Sequence, residues 1–367
     1  MPAQKGAKRE APKTVGRPNA GLDGNVFKKH NLKEALHAIN QKMPINIAAD
    51  VYEIDESLLK RHHSAHRQGS LLWMCGTFIL VFAFSLRTKL FAAFLGEYVF
   101  TIPTARKWIW RVCYDYIAIA FRDDQVPSFM NYGYVELDGQ RPEDLFPTPE
   151  EPSMQTSANL YSALLSLADI TSRENLEVLE IGSGRGGGAL FVANHWNEHI
   201  SKYTGLDYSL ELVNLCNSQR AASNANLTFI HGDAEKLPFA NNSLDLVINV
   251  ESSHCYTDVP AFIAEAHRVL RHGGKFCLTD FRGLGSIDAL LHQLRGLPWS
   301  SIEERDITEN VLEALIRDDD RKRGLIAQRT PFFLRSLMEE FAGLRGGAVF
   351  TGLSTRTILY HLFCGKK

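Results

Sequence analysis

The chain has 367 residues, 45% of them hydrophobic and 22% charged, a balance that excludes a wholly disordered or fibrous protein. Forty basic against 42 acidic residues leave a net charge of -2, so no nucleic-acid partner held by phosphate neutralisation is expected. Six scattered cysteines without a C-x-x-C spacing indicate neither a zinc ribbon nor a disulfide framework.

Residues 1–45 read as a flexible basic tail. Lys5, Lys8, Arg9, Lys13, Arg17, Lys28 and Lys29 face only Glu10 and Asp23 in its first part. Pro and Gly interrupt the stretch, which holds too little apolar surface to order itself. Residues 46–123 read as a helical, membrane-associated segment. Within it, 69–86 (GSLLWMCGTFILVFAFSL) carries no charge. That length is the lower limit for crossing about 30 Å of hydrocarbon at about 1.5 Å per residue. A second apolar run, 90–103, contains Glu97. Trp108, Trp110, Tyr114 and Tyr116 then alternate with Arg106, Lys107 and Arg111, a mixture suited to the headgroup layer. A membrane is therefore an expected partner, through one span or a re-entrant hairpin; the competing reading is a buried core helix plus an amphipathic one. His62, His63 and His66 read as a basic patch, and no metal site is expected.

From residue 124 to 367 the pattern is that of an α/β domain, with short apolar strands alternating with helices under a mostly parallel sheet. The expected strands are 177–182, 202–207, 227–231, 243–251 and 274–281. Expected helices are 187–197, 209–221 and 258–270. Residues 284–342 read as cap helices, followed by β-like runs at 346–351 and 356–364.

The strongest local motif is LEVLEIGSGRGGGALFVA, 176–193. An apolar strand runs into a glycine-rich turn and then a helix, which lets a ligand approach the backbone closely. Gly182, Gly184 and Gly187 also satisfy the dinucleotide pattern, so the glycines alone leave a nicotinamide dehydrogenase open. Glu180 shifts the balance, since a carboxylate before the turn favours a cationic or amino-bearing ligand over a phosphate.

The string E-x-G-x-G-x-G after a strand resembles motif I of class I S-adenosylmethionine-dependent methyltransferases. The resemblance implies a Rossmann-like, doubly wound seven-stranded sheet with a reversed final hairpin, and S-adenosyl-L-methionine as cofactor. It assigns the cofactor to Glu180, Gly182, Gly184, Gly186, Asp207 (ribose hydroxyls), Asp233 with Ala234 (adenine) and Asn249. MNYGY (130–134), NVESSHCY (249–256), LTDFR (278–282), ERDITENVLEAL (304–315) and EFAGL (340–344) resemble more narrowly the phthiotriol and phenolphthiotriol dimycocerosate and fatty-acid O-methyltransferases. That likeness covers about 125–367.

His254 lies just after the fourth strand, at the sheet edge where open α/β folds bind ligands. With an ordinary pKa of about 6.5 it is the candidate general base for a hydroxyl acceptor. Tyr132, in the lid before motif I, and Glu251 complete the catalytic candidates; Arg282 is a further substrate or ion-pair candidate. The expected function is methyl transfer to an oxygen of an apolar small molecule or lipid. Alternatives are C-methylation of a sterol or isoprenoid, N-methylation of an amine, and a tethered cofactor-binding protein without catalysis. Free thiols and a cytosolic methyl donor place the catalytic domain on the cytoplasmic face of its membrane, where an endoplasmic-reticulum-like bilayer would tolerate a short span.

Overall fold

The computed structural model describes Ala35 and residues 45–51, 54–57, 59–60, 103–120, 129–137, 152–221, 224–332 and 335–367. The chain divides into two units, Met1–Lys89 and Leu90–Lys367. In the first, helix α1 (Ile45–Val51) buries Ala48 and Ala49 with Ala35 and Leu59. Ala35 is thus packed, although it falls in the stretch read as a tail. The candidate span 69–86 lies outside the described residues. Among those that are described, no helix is long and apolar enough to cross a membrane.

The second unit is built on a seven-stranded sheet. Its strands are β1 (Leu176–Ile181), β2 (Ile200–Asp207), β3 (Leu227–His231), β4 (Leu244–Val250), β5 (Leu270–Gly283), β6 (Ser301–Asp306) and β7 (Ile358–Lys366). Their order is β3-β2-β1-β4-β5-β7-β6. The first five are parallel; β7 runs antiparallel to both β5 and β6. Strand order reverses between β1 and β4, and a crevice opens at the carboxyl ends of such a pair.

Alternation along β1 sorts its side chains to two layers. Val178 packs under α3 (Gln155–Ala168) and α4 (Gly187–His195), with Leu160, Leu164 and Val192. Leu179 and Ile181 pack on the other face against Phe262 and Ile263 of α6 (Val259–Val269) and Ile287 of α7 (Leu284–Arg295). Each fully buried side chain of this kind stabilises the fold by about 1.5–3 kcal/mol. Helix α5 (Leu210–Gln219) follows β2, with the Ser209 side chain accepting from Leu212 N–H as an N-cap.

Three assignments differ from the sequence reading. Residues 301–306 (SIEERD), expected in the helical cap, form edge strand β6. Acidic residues are poor strand formers, but the backbone of β7 supplies a ladder from Ser301 to Asp306. Residues 346–351, expected as β, instead open helix α10 (Ala348–Ser354). The Glu340 carboxylate accepts from the N–H groups of Ala348 (2.9 Å) and Val349 (3.1 Å) and so nucleates it from outside. Finally, helix α2 (Pro103–Ala120), grouped from sequence with the membrane segment, belongs to the catalytic unit. The remaining cap helices are α8 (Thr308–Arg329) and α9 (Arg335–Phe341).

Candidate active site

The glycine turn after β1 forms the floor of a cavity at the β1/β4 crevice. Gly182, Gly184 and Gly186 hold φ of +75°, +54° and +72°, a region that side chains resist. A Cβ on Gly182 would lie 2.3 Å from Ser252 Oγ, and one on Gly188 would lie 2.1 Å from the Tyr161 hydroxyl. The backbone therefore forms the wall itself. Gly182, Gly184, Asp207, Asp233 and Ala234 all line the cavity, as expected for a cofactor site. Asp207 accepts from Gly184 N–H (2.8 Å) and Ser209 N–H (2.9 Å). Burial raises its pKa to about 6 against those hydrogen bonds.

Glu180 is placed differently. It points, like Val178, into the α3/α4 layer and is 0% exposed. One carboxylate oxygen accepts from the Tyr161 hydroxyl (2.6 Å), the other from that of Tyr203 (2.9 Å). It stands behind the cavity and holds Tyr161, which lines it. Burial outweighs the two phenols and raises the Glu180 pKa to about 7. Asn249 also stands behind the wall. Its Nδ2 donates to Ile181 O (2.9 Å) and lies 2.7 and 3.0 Å from Ser252 Oγ and the Tyr256 hydroxyl, both wall residues. Gly186 packs against Phe229 and Cys216 beneath the turn.

Helix α2 covers the cavity. Its Lys107 pairs with Asp233 (2.8 Å) and Glu235 (2.6 Å), and Asp115 accepts from Ser209 Oγ. Arg106 donates to His254 O (2.6 Å), and the Trp110 ring meets His254 edge-on at 6.0 Å. Of the aromatic and basic residues read as headgroup ligands, Arg106, Lys107, Trp110 and Tyr114 thus meet the loops at the sheet edge, while Trp108 is exposed. Periodicity carried no signal of this long-range role. Ser252, Tyr256 and Arg185, by contrast, sit inside the quoted motifs and were passed over.

The catalytic candidates separate. Glu251 lines the cofactor cavity at φ +46° and accepts from Tyr132 N–H (2.7 Å) and the Tyr360 hydroxyl (2.6 Å). Burial raises its pKa to about 7, over the opposing hydrogen bonds. His254 lines no part of that cavity among the described residues. Its Nδ1 pairs with Asp280 at 2.9 Å, and Asp280, 0% exposed, also takes Arg282 at 3.1 Å. Burial alone would lower the imidazole, but Cys255 and Asp280 outweigh it and raise the pKa to about 10. Asp280 is held well below the usual carboxylate range, Arg282 and His254 overcoming its burial. The Asp280 carboxylate thus favours the protonated imidazole, and Arg282 shares that carboxylate with it. Tyr132 lines a second, largely apolar cavity under α2, α8 and α9, which shares Phe129, Met130, Asn131 and Arg185 with the first.

Comparison with known proteins agrees with this geometry. A family profile described as methyltransferase domain matches residues 179–278. The phthiotriol/phenolphthiotriol dimycocerosates methyltransferase of Mycobacterium tuberculosis is 33% identical over 262 residues, 71% of this chain and 93% of that protein. The fatty-acid O-methyltransferase of Mycolicibacterium smegmatis is 33% identical over 258 residues, 70% of this chain and 89% of that one. Among solved structures, the cyclase SpnF shares the fold, with a TM-score of 0.52 and 19% identity over 70% of this chain and 93% of its own. With relatives at 33% identity matched over nearly their whole length, the chain belongs to the S-adenosylmethionine-dependent methyltransferases, in the group of the phthiotriol/phenolphthiotriol dimycocerosates and fatty-acid O-methyltransferases.

Proposed function

We propose that the enzyme methylates an oxygen of an apolar, lipid-like acceptor. The observation that carries this reading is the second cavity, whose apolar wall is continuous with the cofactor cavity through Phe129, Met130 and Asn131. The names of the two mycobacterial relatives, which act on dimycocerosates and fatty acids, support it. Helix α2 lines both cavities and α8 and α9 line the second, so the three would cover a donor and an acceptor bound there. The uncharged stretch 69–86 would carry the catalytic unit to a bilayer-dissolved acceptor from its cytoplasmic face.

S-adenosylmethionine supplies an activated methyl group; the protein supplies position and proton control. An alcohol acceptor must lose a proton, and Glu251, on the cavity wall with a pKa near neutrality, is the group placed to receive it. A carboxylate acceptor needs no base. His254, paired with Asp280 and accepting at its backbone carbonyl from Arg106, ties the loop after β4 to α2 in either case.

Incubating the full-length protein with methyl-labelled S-adenosylmethionine and a total lipid extract tests this directly. A labelled apolar product bearing an O-methyl group is expected. Label confined to carbon or nitrogen, or cofactor binding without any labelled product, would sink the proposal.

A further inference from the structure

The turn that joins α8 to α9 presents to solvent what the rest of the catalytic unit buries. Phe332 is 80% exposed, and no other large apolar side chain among the described residues exceeds 49%. The backbone before it is braced. Thr330 N–H closes the last turn of α8 on Ile326 O (2.9 Å). The Arg335 guanidinium reaches back to Ala327 O (2.7 Å) and Thr330 O (3.2 Å), satisfying carbonyls at a helix end where a cation is favoured. Charge shifts at the same place. Arg321, Lys322 and Arg323 are matched by Asp318, Asp319 and Glu339. Beyond them, residues 324–338 hold Arg329 and Arg335 and no acidic residue. Both arginines are exposed. Wall residues of the second cavity flank the turn on either side, Leu325 and Ile326 before it and Met338 and Phe341 after it.

We propose that this turn docks the catalytic unit on an anionic bilayer, with Phe332 in the headgroup layer and Arg329 and Arg335 against lipid phosphates and carboxylates. Magnitudes favour lipid over a protein partner. One aromatic ring offers about 200 Å², well short of the roughly 800 Å² per partner of a stable protein interface. A headgroup layer takes single aromatic anchors flanked by basic residues. The proposal rests on the lipid-acceptor reading above and deepens it. Docking here brings the second cavity to the surface in which a bilayer-dissolved acceptor lies.

The test uses the full-length protein with vesicles of phosphatidylcholine, alone or mixed with phosphatidylserine, whose acyl chains are brominated to quench indole emission. Phe332→Trp adds one indole to the five of the parent, and the difference between the two proteins reports the turn alone. That difference emission should be quenched, and more strongly with phosphatidylserine present. Arg329→Gln, made in the Phe332→Trp protein, should reduce the phosphatidylserine preference by about fivefold, the worth of one basic residue near an anionic surface. The thermal shift with S-adenosylhomocysteine should be unchanged in both variants, since neither residue lines the cofactor cavity. An added indole that stays unquenched, or is quenched equally in both kinds of vesicle, would overturn the proposal. So would shielding of that indole from acrylamide that grows with protein concentration without vesicles, which would assign the turn to a contact between copies of the chain. Quenching is read without turnover, so the two readings fail separately. A labelled lipid product with an unquenched indole would sink the docking and leave methyl transfer standing. Quenching with no labelled product would support the docking and sink the acceptor reading.

Discussion

The two cavities share a wall but are made of different material. The cofactor cavity is mostly backbone and strand ends, its floor a turn in which three glycines hold positive φ. The second cavity is mostly side chains, gathered from α2, the 129–132 segment, α8 and α9. A backbone-shaped site depends on what no side chain occupies, so a short stretch of sequence can specify it. A side-chain-shaped site depends on what distant helices bring, and its specificity can change without disturbing the fold.

Four experiments press on that contrast. The largest effect is expected from Gly182→Val, which places a branched side chain at φ +75° within 2.3 Å of Ser252 Oγ. Calorimetry with S-adenosylhomocysteine should show binding weakened by about 100-fold, as strain of about 1–3 kcal/mol plus the clash would give. An affinity near that of the parent would mean the floor is pliant.

His254→Gln probes the network beneath α2. A raised imidazole stabilises the fold fully below about pH 6.5 and loses that contribution as pH climbs through about 10. The stability gap between parent and variant in denaturant should therefore shrink over this window, by at least about 2 kcal/mol. A pH-independent gap would show that the Asp280 pairing does not hold the proton.

Glu180→Gln tests the carboxylate behind the cradle, and the sign reverses. A raised carboxyl group favours the folded state when protonated, so the parent should lose stability relative to the variant as pH rises from about 4.5 to about 7. The expected amplitude is about 3 kcal/mol, with turnover reduced only as far as Tyr161 shifts. Loss of cofactor binding with unchanged stability would instead place Glu180 in direct contact with the ligand.

The smallest effect belongs to Lys107→Ala. Its ion pairs with Asp233 and Glu235 are part-exposed and worth about 1 kcal/mol. Cofactor release should quicken by up to about fivefold, and added salt should mimic the change. No change in release would remove α2 from any part in retaining the cofactor.

The residues read from the family motifs, Gly182, Gly184, Asp207, Asp233 and Ala234, come together at one cavity, because strand ends and tight turns are local events. Glu180, read from the motif as a cofactor ligand, bonds Tyr161 and Tyr203 behind the cavity wall. Side-chain alternation along β1 sends it with Val178 toward Tyr161 and Tyr203, and a count from Val178 would have shown this. Strand β6 and helix α10 were misread because each is decided by a partner far along the chain, β7 for one and Glu340 for the other. Lys107 and Trp110 were read as membrane ligands because aromatic and basic residues look alike in sequence whether they meet lipid or another helix.

Glu251 accepts from Tyr132, 119 positions before it, and from Tyr360, 109 positions after it. One carboxylate thereby fastens the segment that separates the two cavities to the final strand of the sheet. The order of assembly follows. Strands β1 to β4 can pair as they emerge, and the 130–134 segment meets α3 early through Tyr134 N–H to Thr156 O (2.8 Å), whereas its link through Glu251 to Tyr360 waits for β7, since long loops close late. The tie between the dividing segment and the far side of the sheet is thus the last to form, after α2 and the glycine turn are already in the chain.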